Sequence, residues 1–376
     1  MPKSYLVSSI GKLMSATIVT QIVGILTAPF MSRLFTPETS GNAAIFANSV
    51  ALLSGIACLR YEQAIPLAAT EEKRFDLQCL CAWLIPIFVF TATLVLLLIA
   101  PWLSNVFNAP GLSWFWLALP WVAALVAIEK VATAGFLRDR NVSTLTRLQI
   151  GQSLSQIVFQ LGTGLASNGH LACLVAGQAL SPCLFLVGFF RADQQKTFSK
   201  LRSTRPSGLK FVAWEYRKFP QFNSWSAIIN IIGQSLPIFA MSAIHGAHSA
   251  GCVRLAYSLV TLPIAALCGA ITNIYWAEAA RLVRTEPDKL MRFYLRFTGG
   301  LLLIGLILIG FTFIFAPYVP LIFGEQWTDS ASFAKALVFA SAFHWPALRR
   351  SICQFSASTL LKRGGSSYGF CSELWP

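Results

Sequence analysis

The sequence predicts an all-α integral membrane protein of about ten transmembrane helices, and three observations carry that expectation. First, 55% of the 376 residues are hydrophobic and only 12% are charged, against about 25% charged in an ordinary soluble domain. A soluble chain of this length has too little interior to hide so much apolar surface. Second, the apolar residues come in long blocks. Within the block 77–100, the run 88–100 has no charge and only two threonines, and the block 297–323 has no charge at all. As helices, such blocks cover the roughly 30 Å of a bilayer's hydrocarbon core. Third, the basic residues recur in the short connections between blocks rather than on one stripe, which is the signature of membrane orientation.

The expected spans are 12–33, 43–68, 77–101, 112–134, 148–168, 170–190, 222–244, 250–275, 297–317 and 331–348. Several carry polar or helix-bending residues, such as Gln21, Gly24 and Pro29 in the first. Lipid offers polar groups no hydrogen bonds, so these side chains should face other helices or a wet interior.

Placing the N-terminus, with Lys3 and Lys12, in the cytoplasm puts Lys73, Arg74, Lys130, Arg138, Arg140 and Arg147 in cytoplasmic connections. Arg281, Arg284, Lys289, Arg292 and Arg296 fall in a later one, and Arg349, Arg350, Lys362 and Arg363 follow the last span. The outer ends keep only Arg33 and Arg254, so the opposite orientation would invert a strong bias. The longest basic connection, 191–218, separates six spans from four. The expected organisation is therefore an N-terminal six-helix bundle over 1–190, a basic cytoplasmic linker over 191–218 and a partial C-terminal bundle over 219–343. A polar tail of different character, 344–376, is Ser-rich and contains Gly364-Gly365. It reads as a disordered extension or as the product of a lost reading frame.

The net charge of +14 does not indicate nucleic acid, because the cations are dispersed among connections instead of clustered with aromatics. No glycine-rich phosphate loop of the G-x-x-x-x-G-K-[ST] type is present, nor an aspartate cluster suited to metal-assisted transfer. No enzyme activity, cofactor or metal is expected. The nine cysteines read as small buried apolar residues. His245-x-x-His248 lacks the intervening glutamate of a zinc-protease helix.

The most informative polar cluster is Arg60-Tyr61-Glu62-Gln63, which interrupts the second span near its cytoplasmic end. On a continuous helix Arg60 and Glu62 project about 200° apart, so each should need its own partner or water. They read either as the lining of a cavity mouth, with Glu62 available for proton or cation coupling, or as interfacial anchors. Arg254, with Tyr257 beside it, could attract an anionic group or extend to the outer headgroups. Glu278 and Gln234 with Pro237 are similar, weaker candidates.

Further blocks bring a resemblance. Pro37-Glu38 with Gly41, Leu59-Arg60-Tyr61-Glu62-Gln63-Ala64-Ile65-Pro66, and Tyr216-Arg217-Lys218-Phe219-Pro220 are among them. So are Gly251, Ala256-Tyr257, Leu262-Pro263, Ala277-Glu278-Ala279-Ala280 and Phe323-Gly324-Glu325-Gln326-Trp327. From about residue 5 to about residue 343 the chain resembles the polysaccharide-biosynthesis (O-antigen and capsule) flippases of the multidrug/oligosaccharidyl-lipid/polysaccharide exporter superfamily. The resemblance implies two six-helix bundles around a V-shaped cavity, here six plus four, and a C-terminally truncated or frameshifted chain. It implies a bacterial inner-membrane transporter that moves an undecaprenyl-pyrophosphate-linked oligosaccharide of O-antigen, lipopolysaccharide, capsule or exopolysaccharide to the periplasmic leaflet. Membrane lipids, a polysaccharide polymerase and assembly proteins are the implied partners, and Arg60, Tyr61, Glu62, Gln234, Arg254, Tyr257 and Glu278 the implied cavity residues. The alternatives are a drug/cation antiporter of the same fold and an inactive truncated flippase.

Overall fold

A computed structural model describes residues 3–139, 141–192, 206–217, 219–285 and 290–338. All regular structure among them is helical: α1 (Lys3–Leu34), α2 (Pro37–Ile56), a 3-10 turn (Tyr61–Leu67), α3 (Glu71–Val106), α4 (Phe115–Arg138), α5 (Val142–Ala166), α6 (Leu171–Ala192), α7 (Pro206–Glu215), α8 (Ser224–Thr285), α9 (Leu290–Phe315), α10 (Val319–Phe323) and α11 (328–338). The ten expected spans coincide with helical segments as far as they are described. The tail 344–376 lies outside the described residues.

Five segments are long and apolar enough to cross a membrane, and a sixth if α2 and the 3-10 turn, bent by 58°, form one broken span. That is fewer than the ten expected. The helix α5 is 25 residues long but carries Gln149, Gln152, Gln156 and Gln160, which lower its hydropathy. The protein is a multi-pass membrane protein, and α3 shows how its sequence is matched to lipid. Trp83, Ile87, Phe90, Leu94 and Leu98 form one exposed stripe at helical spacing, while Leu77, Cys81, Ile85, Val89 and Leu96 are buried against neighbouring helices. A stripe of exposed large apolar side chains would be a liability in water; in hydrocarbon it needs no cover.

Local chemistry fixes where the helices start and stop. Thr36 caps α2 by accepting a hydrogen bond from the Thr39 N–H at 3.2 Å, with Pro37 at the first helical position. Thr70 caps α3 through the Lys73 N–H at 3.3 Å, and Glu71 and Glu72 place negative charge in its first turn. The 62 residues assigned to α8 would run about 93 Å as one rod, three times the hydrocarbon thickness. Gly246, at φ 84° and ψ 176°, breaks the run in a conformation essentially reserved for glycine. The result is two helical pieces, 224–245 and 247–285.

The helices have two distinguishable ends. One, the basic end, carries Arg60, Arg74 and Arg138. The other, the far end, carries Arg33, Asn108 and the Gly246 break. At the far end α2 and the second piece of α8 meet backbone to backbone. A methyl group placed on Gly41 would lie 1.8 Å from the Ala247 carbonyl oxygen, and one on Gly251 would lie 1.9 Å from that of Pro37. The two glycines are equivalent in position, each the fifth residue of its helical piece. Nearby, the Ser32 carbonyl accepts from Gln326 Nε2 at 2.8 Å and from Trp327 Nε1 at 2.7 Å. Asn108 Nδ2 donates to the Ala243 carbonyl at 3.0 Å. A core of Phe35, Phe46, Trp116, Leu119 and Val253 lies beneath this joint.

Gly41→Ala and Gly251→Ala should each lower the thermal midpoint of the detergent-purified protein, by the equivalent of about 1–3 kcal/mol for overpacking. Gly24→Ala, where nothing lies within 4 Å of the added methyl, should leave it unchanged or slightly raised. Equal behaviour of the three variants would count against the joint.

Candidate functional site at the basic end

The second span does not continue as a helix through Arg60. The chain leaves α2 after Ile56, and both Leu59 (φ 49°) and Arg60 (φ 63°) adopt the left-handed conformation, uncommon for side-chain-bearing residues and strained for a bulky one. The turn reverses the geometry expected from a helical wheel. Arg60 Nη1 comes within 3.6 Å of Glu62 Oε1, so the two pair with each other after all. The expectation that they must find separate partners fails because it assumed 100° per residue where the backbone is not helical.

This pair is almost shut off from solvent, with 16% of the Arg60 and 8% of the Glu62 side chain accessible. Arg60 Nε and Glu62 Oε2 are buried without a hydrogen-bond partner in the protein. Opposite them, Lys130 of α4 donates from Nζ to Ser54 Oγ of α2 at 2.9 Å, and its charge acts on Glu62 together with that of Arg60. The trio of Arg60, Lys130 and Glu62 therefore holds one net positive charge in a low-dielectric setting. The adjacent Glu129 turns away and accepts from Gln152 Nε2 of α5 at 3.1 Å. An excess cation with an open N–H donor is a setting for an anionic group, through charge-assisted hydrogen bonds. Lys130 was expected in a loop. The structure sets it two turns inside α4, where its position in an otherwise apolar block was the available signal.

Below the trio lies a knot of ion pairs. Arg74, itself buried, makes a two-pronged contact with Asp139, at 2.6 Å from Nη1 and 2.8 Å from Nη2. It also reaches Glu71 at 3.2 Å. Arg138 pairs with Glu71 at 3.0 Å and donates to the Ala68 carbonyl. These contacts tie the start of α3 to the end of α4 and hold the 3-10 turn between them. On the other side, Tyr61 donates from its hydroxyl to the Ala213 carbonyl of α7 at 3.1 Å, and Lys73 pairs with Glu215 at 2.6 Å. The connection expected to be a plain linker over 191–218 thus contains a docked helix, α7, with Val212 fully buried against the turn and α3. Residues 193–205 lie outside the described residues.

The remaining candidates sit elsewhere. Arg254 is accessible to solvent, although protein atoms surround it at longer range, the combination expected of a side chain lining a concave space. Among the described residues it makes no ion pair. Tyr257, one turn on, is half-buried. Gln234 is exposed and donates along its own helix to Asn230 Oδ1. Glu278 falls in the helical part of α8, but its side chain lies outside the described residues. The structure therefore joins Arg60, Tyr61 and Glu62 into one site, adds Lys130, and leaves Arg254 with Tyr257 near the far end.

Packed helices with lipid-matched surfaces, a broken second span and internal cations define a multi-pass membrane protein of a transporter fold. A solved structure described as the inward-facing conformation of a multidrug resistance MATE family transporter of the MOP superfamily has the same fold. It aligns over 93% of this chain and 83% of that one, with a TM-score of 0.66 at 15% identity. Residues 30–332 match the family described as polysaccharide biosynthesis protein, and the chain belongs to that family. It is similar to the teichuronic acid biosynthesis protein TuaB of Bacillus subtilis (strain 168), 22% identical over 157 residues, which are 42% of this chain and 31% of that protein. It is also similar to the lipopolysaccharide biosynthesis protein WzxC of Escherichia coli (strain K12). That match is 30% identical over 116 residues, 29% of this chain and 23% of the relative. The matched stretches amount to under a third of either relative's length.

Asp139→Ala removes the two-pronged partner of a buried guanidinium and should cost about 2 kcal/mol, read as a lowered denaturation midpoint in detergent. Lys73→Ala, which breaks an exposed pair, should cost under about 1 kcal/mol. A reversed order would show that the knot is not what holds the turn.

Proposed function

We propose that the protein is a flippase for a lipid-linked oligosaccharide, carrying a sugar repeat unit on undecaprenyl pyrophosphate from the cytoplasmic to the periplasmic leaflet of the bacterial inner membrane. The observation that carries this reading is a net positive side-chain cluster set inside a membrane bundle that belongs to a polysaccharide-biosynthesis family. A pyrophosphate is the part of such a substrate that hydrocarbon rejects most strongly, and buried cations with open donors can replace its water. The lipid tail needs no protein path, because it stays in the bilayer.

In this reading the basic end is cytoplasmic and two bundles, 1–190 and 219–343, rock about a shared cavity. Arg60 and Lys130 meet the pyrophosphate on entry, with Glu62 limiting how tightly it is held. Arg254 receives it nearer the periplasmic side. Tyr61 acts indirectly, by fixing the turn against α7. Gln234, Tyr257 and Glu278 serve as sugar-facing groups. No phosphate-cradling nucleotide loop is present in the sequence, so a cation gradient or consumption of the product supplies the drive. Polymerase and assembly proteins act downstream.

The chain should restore surface polysaccharide to a strain lacking its flippase. Arg254→Ala and Lys130→Ala should each reduce that polysaccharide at least tenfold at equal membrane abundance, while Lys335→Ala should not. Nanodisc-embedded protein should bind an undecaprenyl-pyrophosphate oligosaccharide at least tenfold more tightly than undecaprenol. Equal affinity for the two lipids would remove the basis of the proposal. Orientation has its own check. In a background without reactive cysteines, Tyr318→Cys should react with an impermeant maleimide in intact cells and Glu72→Cys should react only after lysis.

A further inference from the structure

We propose that the far end carries a binding site for a zinc-class divalent cation, formed by His248, Cys252 and Asp329. His248 and Cys252 are one turn apart on the second piece of α8, four residues being the spacing that puts two side chains on the same helix face. Asp329 comes from the start of α11, far along the sequence. The imidazole nitrogen, the thiol sulfur and a carboxylate oxygen all lie within 4.8 Å of one another.

The donor set is specific in kind. Nitrogen, sulfur and oxygen donors together suit zinc and its close chemical relatives better than calcium or magnesium, which take oxygen alone. Three protein ligands leave a fourth position for water or an incoming group. Around zinc, ligand atoms at about 2.0–2.3 Å from the ion stand about 3.5 Å apart in a tetrahedron, so the cluster must contract by about an ångström. The parts able to move are the right ones. His248 and Asp329 are exposed and free to rotate inward, whereas Cys252 is completely buried among Val319, Phe323 and Trp327 and fixes the site's floor. A thiol locked in an apolar wall with two polar ligands above it forms an open-topped site accessible from solvent.

Its position gives the site a consequence. Cys252 follows Gly251 directly, and Asp329 lies two residues after Trp327, whose indole donates to Ser32 of α1. A bound cation would tie the glycine joint to the segment that clasps α1, stiffening the far end. Sequence alone pointed away from this, because His245 and His248 lack a suitable third ligand nearby.

The test uses the full chain, purified in detergent and stripped of metal, titrated with cobalt(II). One equivalent should bind with a thiolate-to-cobalt charge-transfer band and the visible bands of a four-coordinate ion. Zinc should displace it and raise the thermal midpoint. Cys252→Ala should abolish the charge-transfer band. His248→Ala, at an exposed position that leaves packing intact, should weaken binding at least tenfold and remove the thermal shift. The double variant Cys79→Ser, Cys81→Ser should behave as the unaltered protein. Absence of the band in folded protein would overturn the proposal, as would a band that survives both Cys252→Ala and His248→Ala. Loss of the band only in the Cys79, Cys81 variant would place the metal elsewhere and overturn it equally.

Discussion

Hydrocarbon around the helices is the constraint from which the rest of this structure follows. Between helices in lipid the hydrophobic effect supplies almost no attraction, because the tails are as apolar as the side chains they replace. Association must come from close contact and from polar groups that have nowhere else to bond. Both appear where α2 meets α8. Gly41 and Gly251 bring backbone against backbone, and midway along the same helix Ser235 Oγ donates to Asn48 Oδ1 at 2.9 Å. The large residues that would build a soluble core, such as Phe90, Leu98 and Trp102 on α3, face outward.

The same constraint sorts the charges. Ion pairs with Asp139 and Glu71 gather where helices end and water is available, and the one charged group set deeper, around Arg60, Lys130 and Glu62, is held by a strained turn. Left-handed Leu59 and Arg60 survive only because surrounding contacts fix them: Arg138 on the carbonyl of Ala68, Tyr61 on α7, and Ala64 and Ile65 fully buried. Strain placed beside buried, incompletely paired charge is the pattern expected where a ligand completes the hydrogen bonding.

Apolar blocks made the helices legible from sequence, since a run such as 88–100 has one physical explanation. Charge in connections made the basic end legible too. The arrangement of Arg60 and Glu62 was not, because two consecutive positive-φ residues that are not glycine leave no compositional mark. Lys130 was misplaced for a related reason: a lysine near a helix end looks like a loop residue until the hydroxyl of Ser54 is seen beneath it. Helix α7 was hidden by its basic, Pro- and Ser-bearing flanks. The grouping of His248, Cys252 and Asp329 depends on α11 folding back against α8, and a sequence pattern carries no such long-range pairing. Glycines 41 and 251 were noticed as part of a resemblance, but not as each other's neighbours.

The two ends of the molecule resist separation by different means, and this bears on how such a bundle could open. Among the described residues, every ion pair at the basic end lies within the first six helices and their turn, or between α3 and α7. None joins them to the helices that follow, and the one polar link across, from Asn223 Nδ2 to Gln63 Oε1, is long at 3.4 Å. Strong as they are, these pairs stiffen one half without fastening it to the other. The far end is fastened across, by the glycine joint, by Asn108 on Ala243, and by Gln326 and Trp327 sharing the Ser32 carbonyl. A backbone-to-backbone contact works only at one register, and a buried carbonyl that loses both donors pays for it in desolvation. Opening at the basic end therefore breaks little, whereas opening at the far end must break several fitted contacts together, which makes the far end the two-state element that decides which side the interior faces.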